Sequence, residues 1–275
     1  MAHPTIERRA MAFYGSTFIY DGVPSEEYGL QIINFETGLQ EGMSAGASTI
    51  IEEYQIHRTK PYFYKRVHHT SLEFEFTVGD CNKRTAIDFD SINRWMLGRS
   101  SYKKLQIVQG DMVDTYFNVI FINATPIYVG NFLYAIRYTA HCDSGFGWSL
   151  PKYATHVGHL SNTVNVNLPA IYNDSAEDGY VYPVVRFKSK SSTGLVIKNL
   201  AEPSRLLSFT GGLLVDEVVT IDNINKIITS NQNRKLMQYF SSNWLRLLPG
   251  ENIINLYGRF QDFIMVYQFS RKIGA

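Results

Sequence analysis

Between Ser71 and Val78 the apolar residues Leu72, Phe74, Phe76 and Val78 alternate with Ser71, Glu73, Glu75 and Thr77. A period of two turns the first set to one face and the carboxylates to the other, the pattern of a half-buried strand. Past Gly79 and Asp80 the period lengthens. Phe89, Ile92, Trp95 and Met96 recur at helical spacing, which predicts one helix between Asp88 as N-cap and Gly98 as its close. Strands resume with KKLQIVQG, TYFNVIFINATPIYV and NFLYAIRYTAHC. In the last of these Phe132, Tyr134, Ile136 and Tyr138 share one face, with Leu133, Ala135 and Arg137 on the other. Upstream, FYGSTFIYDGV reads as a strand ending in the Asp21–Gly22 turn, and LQIINFE as another. Between them and the alternating segment, TGLQEGMSAGAS spaces Gly38, Gly42 and Gly46 among small polar residues and reads as a mobile loop.

After Cys142 the pattern changes. Asp143 to Thr163 has turn residues and no period, and reads as a linker. From Val164 short strands alternate with turns: VNVNLPAIY, GYVYPVVRFKS, TGLVIKNLA, SRLLSFTGG, EVVTIDNINKIITS, NWLRLLPGENIINLYG and QDFIMVYQFSR. This spacing predicts a sandwich or jelly roll. The chain is therefore mainly β in two parts: residues 1–150, a sheet-rich domain with one helix and a linker to about 163, and residues 164–275, a β-sandwich.

Composition agrees with two packed β domains. Of 275 residues, 45% are hydrophobic, 19% charged and 14% aromatic, including 18 Tyr and 17 Phe. The net charge of +1 leaves no field for gripping phosphates, and Arg8–Arg9, Lys65–Arg66 and Lys103–Lys104 are short and scattered. Cys81 and Cys142 fit no disulfide framework and read as two free thiols of a reducing cytoplasm, unless their strands prove neighbours. The N-terminal segment lacks the apolar stretch of a signal peptide, and no apolar run approaches the ~20 residues needed to span a bilayer.

Catalytic motifs are missing. Neither GxxxxGK[ST] nor GxGxxG occurs, Gly145–Phe146–Gly147 opens no helix, and no strand-to-helix nucleophile elbow is seen, the letters GxSxG occurring at Gly42–Gly46 inside the glycine-rich loop. His156 and His159 form an HxxH with Gly158 inside it, and His68–His69 are adjacent, but neither pair has the further ligands zinc requires. Glu26–Glu27, Glu52–Glu53 and Glu73/Glu75 are paired carboxylates; the last pair has a spacing a glycosidase could use, yet the same alternation explains it as a solvent face. Tyr180, Tyr182, Tyr257, Tyr267 and Trp244 supply aromatics that could stack on sugars, which makes a carbohydrate-binding adhesin module the alternative reading. No catalytic, cofactor-binding or metal-binding residues are assigned.

Two segments carry a family likeness. The opening, FYGSTFIYDGVPSEEYGLQIINFETG with Gly29–Leu30 after its first turn, resembles the start of the distal tail proteins of long-tailed bacteriophages. The closing SSNWLRLLPGENIINLYGRFQDFIMVYQFSR is similar to that family's last strands around a Leu-Pro-Gly-x-Asn turn, here Leu248, Pro249, Gly250 and Asn252, approached through TIDNINKIIT. The turn has its own logic: Pro249 presets one dihedral, Gly250 accepts positive φ, and Asn252 can bond back to nearby backbone.

The resemblance implies an N-terminal domain related to tail-tube subunits and a C-terminal sandwich like galectins or carbohydrate-binding modules. It implies a homohexameric ring at the tail tip, assembled in the host cytoplasm. The ring would join the tail tube protein to the hub with its tail-associated lysin and to the receptor-binding protein or side fibres, with DNA passing through the bore. It brings no catalytic residues, no cofactor, no sequence-specific nucleic-acid binding and no membrane insertion. A ring would also suit strands as apolar as TYFNVIFINA and NFLYAIRYTA, whose edges and faces it would cover, with the Gly38–Ser48 stretch draped over a neighbour.

Overall fold

A computed structural model describes residues 17–33, 47–57, 60–69, 71–80, 88–110, 112–158, 163–175, 179–192 and 195–271, with 47–57 and 60–69 as backbone. Cys81, His159, Arg8–Arg9 and the glycines at 38, 42 and 46 lie outside the described residues. The chain is mostly β and divides into two compact units, an N-terminal one of Met1–Trp148 with Arg271–Ala275 and a C-terminal one of Ser149–Ser270.

In the N-terminal unit the elements are β1 (Thr17–Tyr20), β2 (Val23–Pro24), β3 (Gln31–Ile32), β4 (Ala47–His57), β5 (Lys60–His69), β6 (Glu73–Gly79), α1 (Phe89–Leu97), β7 (Lys103–Val108), β8 (Thr115–Val129), β9 (Phe132–Cys142) and β10 (Gly147–Ser149). The main sheet runs β2-β1-β7-β8-β9-β6-β3, antiparallel between neighbours, with β10 also against β8. Alternation is the reason: Phe76 and Val78 on β6 and Ile136, Tyr138 and Ala140 on β9 are buried on one face. α1, the single α-helix among the described residues, covers that face with Ile92, Trp95 and Met96. Ser91 donates its hydroxyl to Asp88 at 2.5 Å and its backbone N–H at 3.2 Å, so Asp88 is the N-cap, and these hydrogen bonds hold its carboxyl below the usual carboxylate range. Gly98 ends the helix at φ −73°, without the left-handed cap its position in the sequence suggests. A Cβ there would lie 2.3 Å from the Arg94 carbonyl oxygen, so glycine serves by its lack of bulk. Trp95 lies flat between Phe18 (5.8 Å) and Tyr28 (4.6 Å) and donates its indole N–H to the Tyr20 carbonyl at 3.3 Å.

The C-terminal unit has β11 (Lys152–His156), β12 (Val164–Asn167), β13 (Ile171–Asn173), β14 (Val184–Ser189), β15 (Val196–Asn199), β16 (Leu206–Ser208), β17 (Val218–Asp222), β18 (Ile227–Ser230), β19 (Gly250–Asn252), β20 (Ile254–Gly258) and β21 (Phe260–Tyr267). A five-stranded sheet, β11-β21-β14-β17-β18, and a four-stranded sheet, β12-β20-β15-β16, share one core, and β13 pairs with β19 apart from both. Val185, Phe187, Val219, Ile221, Phe263 and Met265 enter that core from the first sheet, and Ile197, Leu207, Ile254 and Leu256 from the second.

Two expectations change here. The stretch 143–163 contains β10 and β11, and β11 pairs with β21 from Lys152↔Tyr267 to His156↔Phe263. As an edge strand of Lys, Tyr, Ala, Thr and His it has no apolar alternation to betray it, and Gly158 lets the chain pass so close that a Cβ would sit 2.0 Å from the Phe260 carbonyl oxygen. Likewise NWLRLLP is not a regular strand: only Leu247 forms a bridge, with Val181, although Trp244, Leu245 and Leu247 are buried.

Candidate assembly surfaces

The longest strand pair of the N-terminal unit changes character half-way. β8 buries Thr115, Tyr116, Phe117, Val119 and Phe121 in turn, then the register with β9 shifts between Ile122 and Thr125, where Asn123 has φ 55°. Such a bulge adds a residue to one strand and bends it. A second shift follows between Ile127 and Tyr128, and Gly130 turns the hairpin at φ 62°. Beyond the first shift no β8 side chain is fully buried. Tyr128, Val129 and Phe132 at the tip are 61%, 59% and 80% exposed. Covering Phe132 alone would be worth roughly 2 kcal/mol, so the tip is an exposed apolar surface.

The strands β8 and β9 are not edges, as their apolar sequences suggest on their own: β7 flanks one and β6 the other, and the path ends in the two-residue strands β2 and β3. Their hydrophobicity reflects an interior place in the sheet. β4 and β5 form a two-stranded sheet of their own, in register from Ala47↔His69 to Tyr54↔Tyr62. A lone hairpin is marginal in water. It carries Glu52–Glu53, Lys65–Arg66 and His68–His69, and Ala47 and Ser48, read as the end of the glycine loop, are its first residues.

In the C-terminal unit Leu248, Pro249, Gly250 and Asn252 form a corner rather than a hairpin turn, because β19 pairs with the distant β13 and β20 continues into the four-stranded sheet. Gly250 has φ 84°. The buried Asn252 amide accepts from Leu248 N–H at 2.8 Å and donates to the carbonyls of Leu248 (2.8 Å) and Gly250 (2.9 Å), while Asn199 donates to its oxygen at 2.8 Å. Asn199 in turn donates to the Arg246 carbonyl at 3.0 Å. Arg246 donates to both Glu202 oxygens from the Nε and Nη2 of one guanidinium edge, keeping that carboxyl below its usual range, and lies 3.8 Å from the Tyr180 ring centroid.

The remaining candidates do not converge on chemistry. Glu73 faces His141 at 3.7 Å and Glu75 faces Arg137 at 3.5 Å, both on the solvent side of β6 and β9. Cys142 is buried, which pushes its thiol up to about 12. His156 packs against Phe260. Trp244 and Tyr267 belong to the core, with Trp244 4.9 Å from Phe240, whereas Tyr257 stands exposed on β20. Among the described residues no three His, Cys, Asp or Glu gather to hold a metal ion, and no helix is long and apolar enough to cross a membrane. The sequence reading missed the exposed hairpin tip, although Asn123-Ala124-Thr125-Pro126 interrupts the alternation there, and it missed the buried amides Asn173, Asn199 and Asn223.

Two family descriptions together match most of the chain: "phage tail protein N-terminal domain" over residues 13–144 and "phage tail C-terminal domain" over residues 146–265. The chain belongs to the phage tail protein family. Among solved structures, this tail protein is similar to the Dit protein (gp 19.1) of phage SPP1, described as a paradigm of hub adsorption apparatus in phages infecting Gram-positive bacteria. Identity is 13% and the TM-score 0.59 over 93% of this chain and 98% of that one. It is also similar to a chain of the phage P2 baseplate, at 8% identity and TM-score 0.50 over 94% of this chain and 99% of that one. The fold is thus Dit-like, as the opening and closing segments suggest, and the tail protein is a structural component of the virion tail. No curated protein matches it.

Proposed function

We propose that this tail protein forms a homohexameric ring at the distal end of the tail tube. The ring connects the tube protein to the tail-tip hub and its lysin and to the receptor-binding protein or side fibres, and DNA passes through its bore. The role is mechanical, with no reaction of its own, and assembly takes place in the host cytoplasm before the virion is complete. The observation that carries this reading is the Dit-like fold over nearly the whole of both chains in a member of the phage tail family. The apolar tip at Tyr128, Val129 and Phe132 supports it, because a ring gives each copy a neighbour to cover such a surface. So does the net charge of +1, since a channel for DNA should not bind it tightly.

The test is sedimentation velocity and negative-stain imaging of the full chain, alone and with the tail tube protein. Closed rings are expected, and Phe132→Ser with Tyr128→Ser should shift them toward monomer without lowering the melting temperature. A monomer that persists with tube protein present overturns the reading and favours the adhesin alternative.

A further inference from the structure

The turn that leads into β17 is apolar at its apex, where small polar residues ordinarily stand. Leu214 and Val215 lie there, 47% and 63% exposed. The chain around them is fastened. Leu214 donates its N–H to a Glu217 carboxylate oxygen at 2.8 Å, and the Glu217 N–H donates to the Leu214 carbonyl at 3.2 Å. Asp216, at φ 65°, donates its N–H to the Ser189 carbonyl at 2.8 Å. One of its carboxylate oxygens holds Lys188 (3.1 Å) and Lys190 (2.6 Å).

Glu217 is the centre of this brace and is fully buried. Its second oxygen accepts from the Ser230 hydroxyl of β18, and Arg234 reaches the first at 3.3 Å while donating to the Gly212 carbonyl at 2.8 Å. A buried carboxylate is costly unless paired and hydrogen-bonded, and the bonds of this one go to fixing the turn against β18. On the other side the Tyr239 ring lies so close that a Cβ on Gly212 would stand 2.4 Å from it. Met237, in the same short 3-10 turn as Tyr239, is exposed. Around the apex, residues 188–192, 211–217 and 231–239 carry four cations, Lys188, Lys190, Arg234 and Lys235, against two carboxylates, Asp216 and Glu217. The surround is therefore positive by two charges.

We infer that the Leu214–Val215 apex is a docking knob that seats in an apolar pocket with an acidic rim on another protein of the tail tip. An apolar centre inside a polar rim is the plan of a protein interface, and the sign of the rim selects the partner. An apex already fixed in shape loses little conformational freedom on binding. A second copy of this chain, itself at +1, offers no acidic excess to meet it. An anionic membrane has the matching sign but is held by clusters of four or more cations, and here Lys188, Lys190 and Arg234 are already paired. The inference rests on the tail-tip reading for its choice of partner, and not on the ring.

The test puts the photo-crosslinker p-benzoylphenylalanine in place of Val215 in the full chain, and in a control in place of Ile224, within virions complemented by that chain. Ile224 is 64% exposed but stands past the far end of β17, whose five residues span about 17 Å. A cross-link from position 215, and not from 224, to a tail protein other than this chain is expected. That protein, purified, should bind the full chain, and Leu214→Ser with Val215→Ser should weaken binding roughly tenfold or more. Lys235→Glu should weaken it too, by a factor that shrinks as salt is raised. All variants should melt like the parent. The inference is overturned by no cross-link, by one to a second copy alone, or by equal cross-linking from 224. Binding to phosphatidylglycerol vesicles that the double serine change abolishes would overturn it as well. Sedimentation of the parent reads the ring separately, so loss of the hexamer and loss of the knob give different results.

Discussion

In the N-terminal unit the core is a set of touching rings. Phe18 meets Phe76 at 4.9 Å and Trp95 at 5.8 Å, Tyr20 meets Phe121 at 4.9 Å, and Phe121 meets Phe76 at 5.1 Å and Tyr138 at 5.8 Å. Among the described residues its buried polar ones are the small hydroxyls Ser25, Thr77 and Thr115. In the C-terminal unit rings also touch, from Phe187 through Phe209 and Phe240 to Trp244, but the buried polar residues are of another kind and include Asn173, Asn199, Asn223, Asn252 and Glu217. Strand length explains the contrast. β8 and β9 run for 15 and 11 residues and satisfy their backbone in ladders, so shape alone has to be filled. β13, β15, β16, β17 and β19 have three to five residues, and the chain between such strands reaches the core without a ladder. The amides take the ladder's place: Asn223 accepts from Leu245 N–H at 2.7 Å and donates to the Pro183 carbonyl at 2.6 Å, and Asn173 donates to the carbonyls of Gly179 and Leu247.

If packing of rings holds the first unit, Phe76→Ala should be the most damaging change. Phe76 is fully buried between Phe18, Phe74 and Phe121, and its loss should cost about 3–5 kcal/mol. Peptide-resolved hydrogen exchange should show faster exchange in β6, β8 and β9 and none of the change in β14 and β17. Equal loss of protection in both sets would mean that the two units are not separately stable.

Hydrogen bonding in place of a ladder predicts a different sensitivity in the second unit. Asn252→Ala strands Leu248 N–H, two carbonyls and the Asn199 amide in a partly buried corner, at a cost of about 1–3 kcal/mol by urea unfolding. Asn252→Asp keeps the acceptor but sets a carboxylate against the carbonyls of Leu248 and Gly250, so it should do no better than alanine near neutral pH. Tolerance of either change, to within about 0.5 kcal/mol, would show that the corner is held by packing and would erase the contrast between the units.

The same contrast decides what was legible in the sequence. Features made by local pattern were visible: the α1 cap at Asp88, the alternation through Phe76, and the mixed strand and turn rhythm after Val164. Features made by distant partners were not. Nothing in Lys152–His156 announces a strand until β21 lies beside it. The apolar run at Trp244–Leu247 looks like a strand, but Asn223 and Val181 satisfy its backbone, both far off in sequence. At the exposed tip of the β8–β9 hairpin the sequence offers only the break in alternation at 123–126, because exposure depends on where the core ends.

The smallest effect concerns two glycines needed for opposite reasons. At Gly250 nothing lies within 4 Å of where a Cβ would stand, but φ is 84°, so the demand is conformational. Gly250→Val should cost about 1–3 kcal/mol, since a β-branched residue tolerates positive φ poorly. Gly250→Asn should recover much of that, because asparagine visits the left-handed region readily. At Gly79 in the N-terminal unit a Cβ would lie 2.3 Å from Ile33 Cδ1 and 2.7 Å from the Tyr134 carbonyl oxygen, so the demand is for space. There asparagine, larger than alanine, should be the worse replacement. Thermal melts of Gly250→Val, Gly250→Asn, Gly79→Ala and Gly79→Asn check both orders. A Gly250→Asn variant no better than Gly250→Val would mean that the corner excludes side chains by crowding, as Gly79 does, and that backbone conformation plays no part in it.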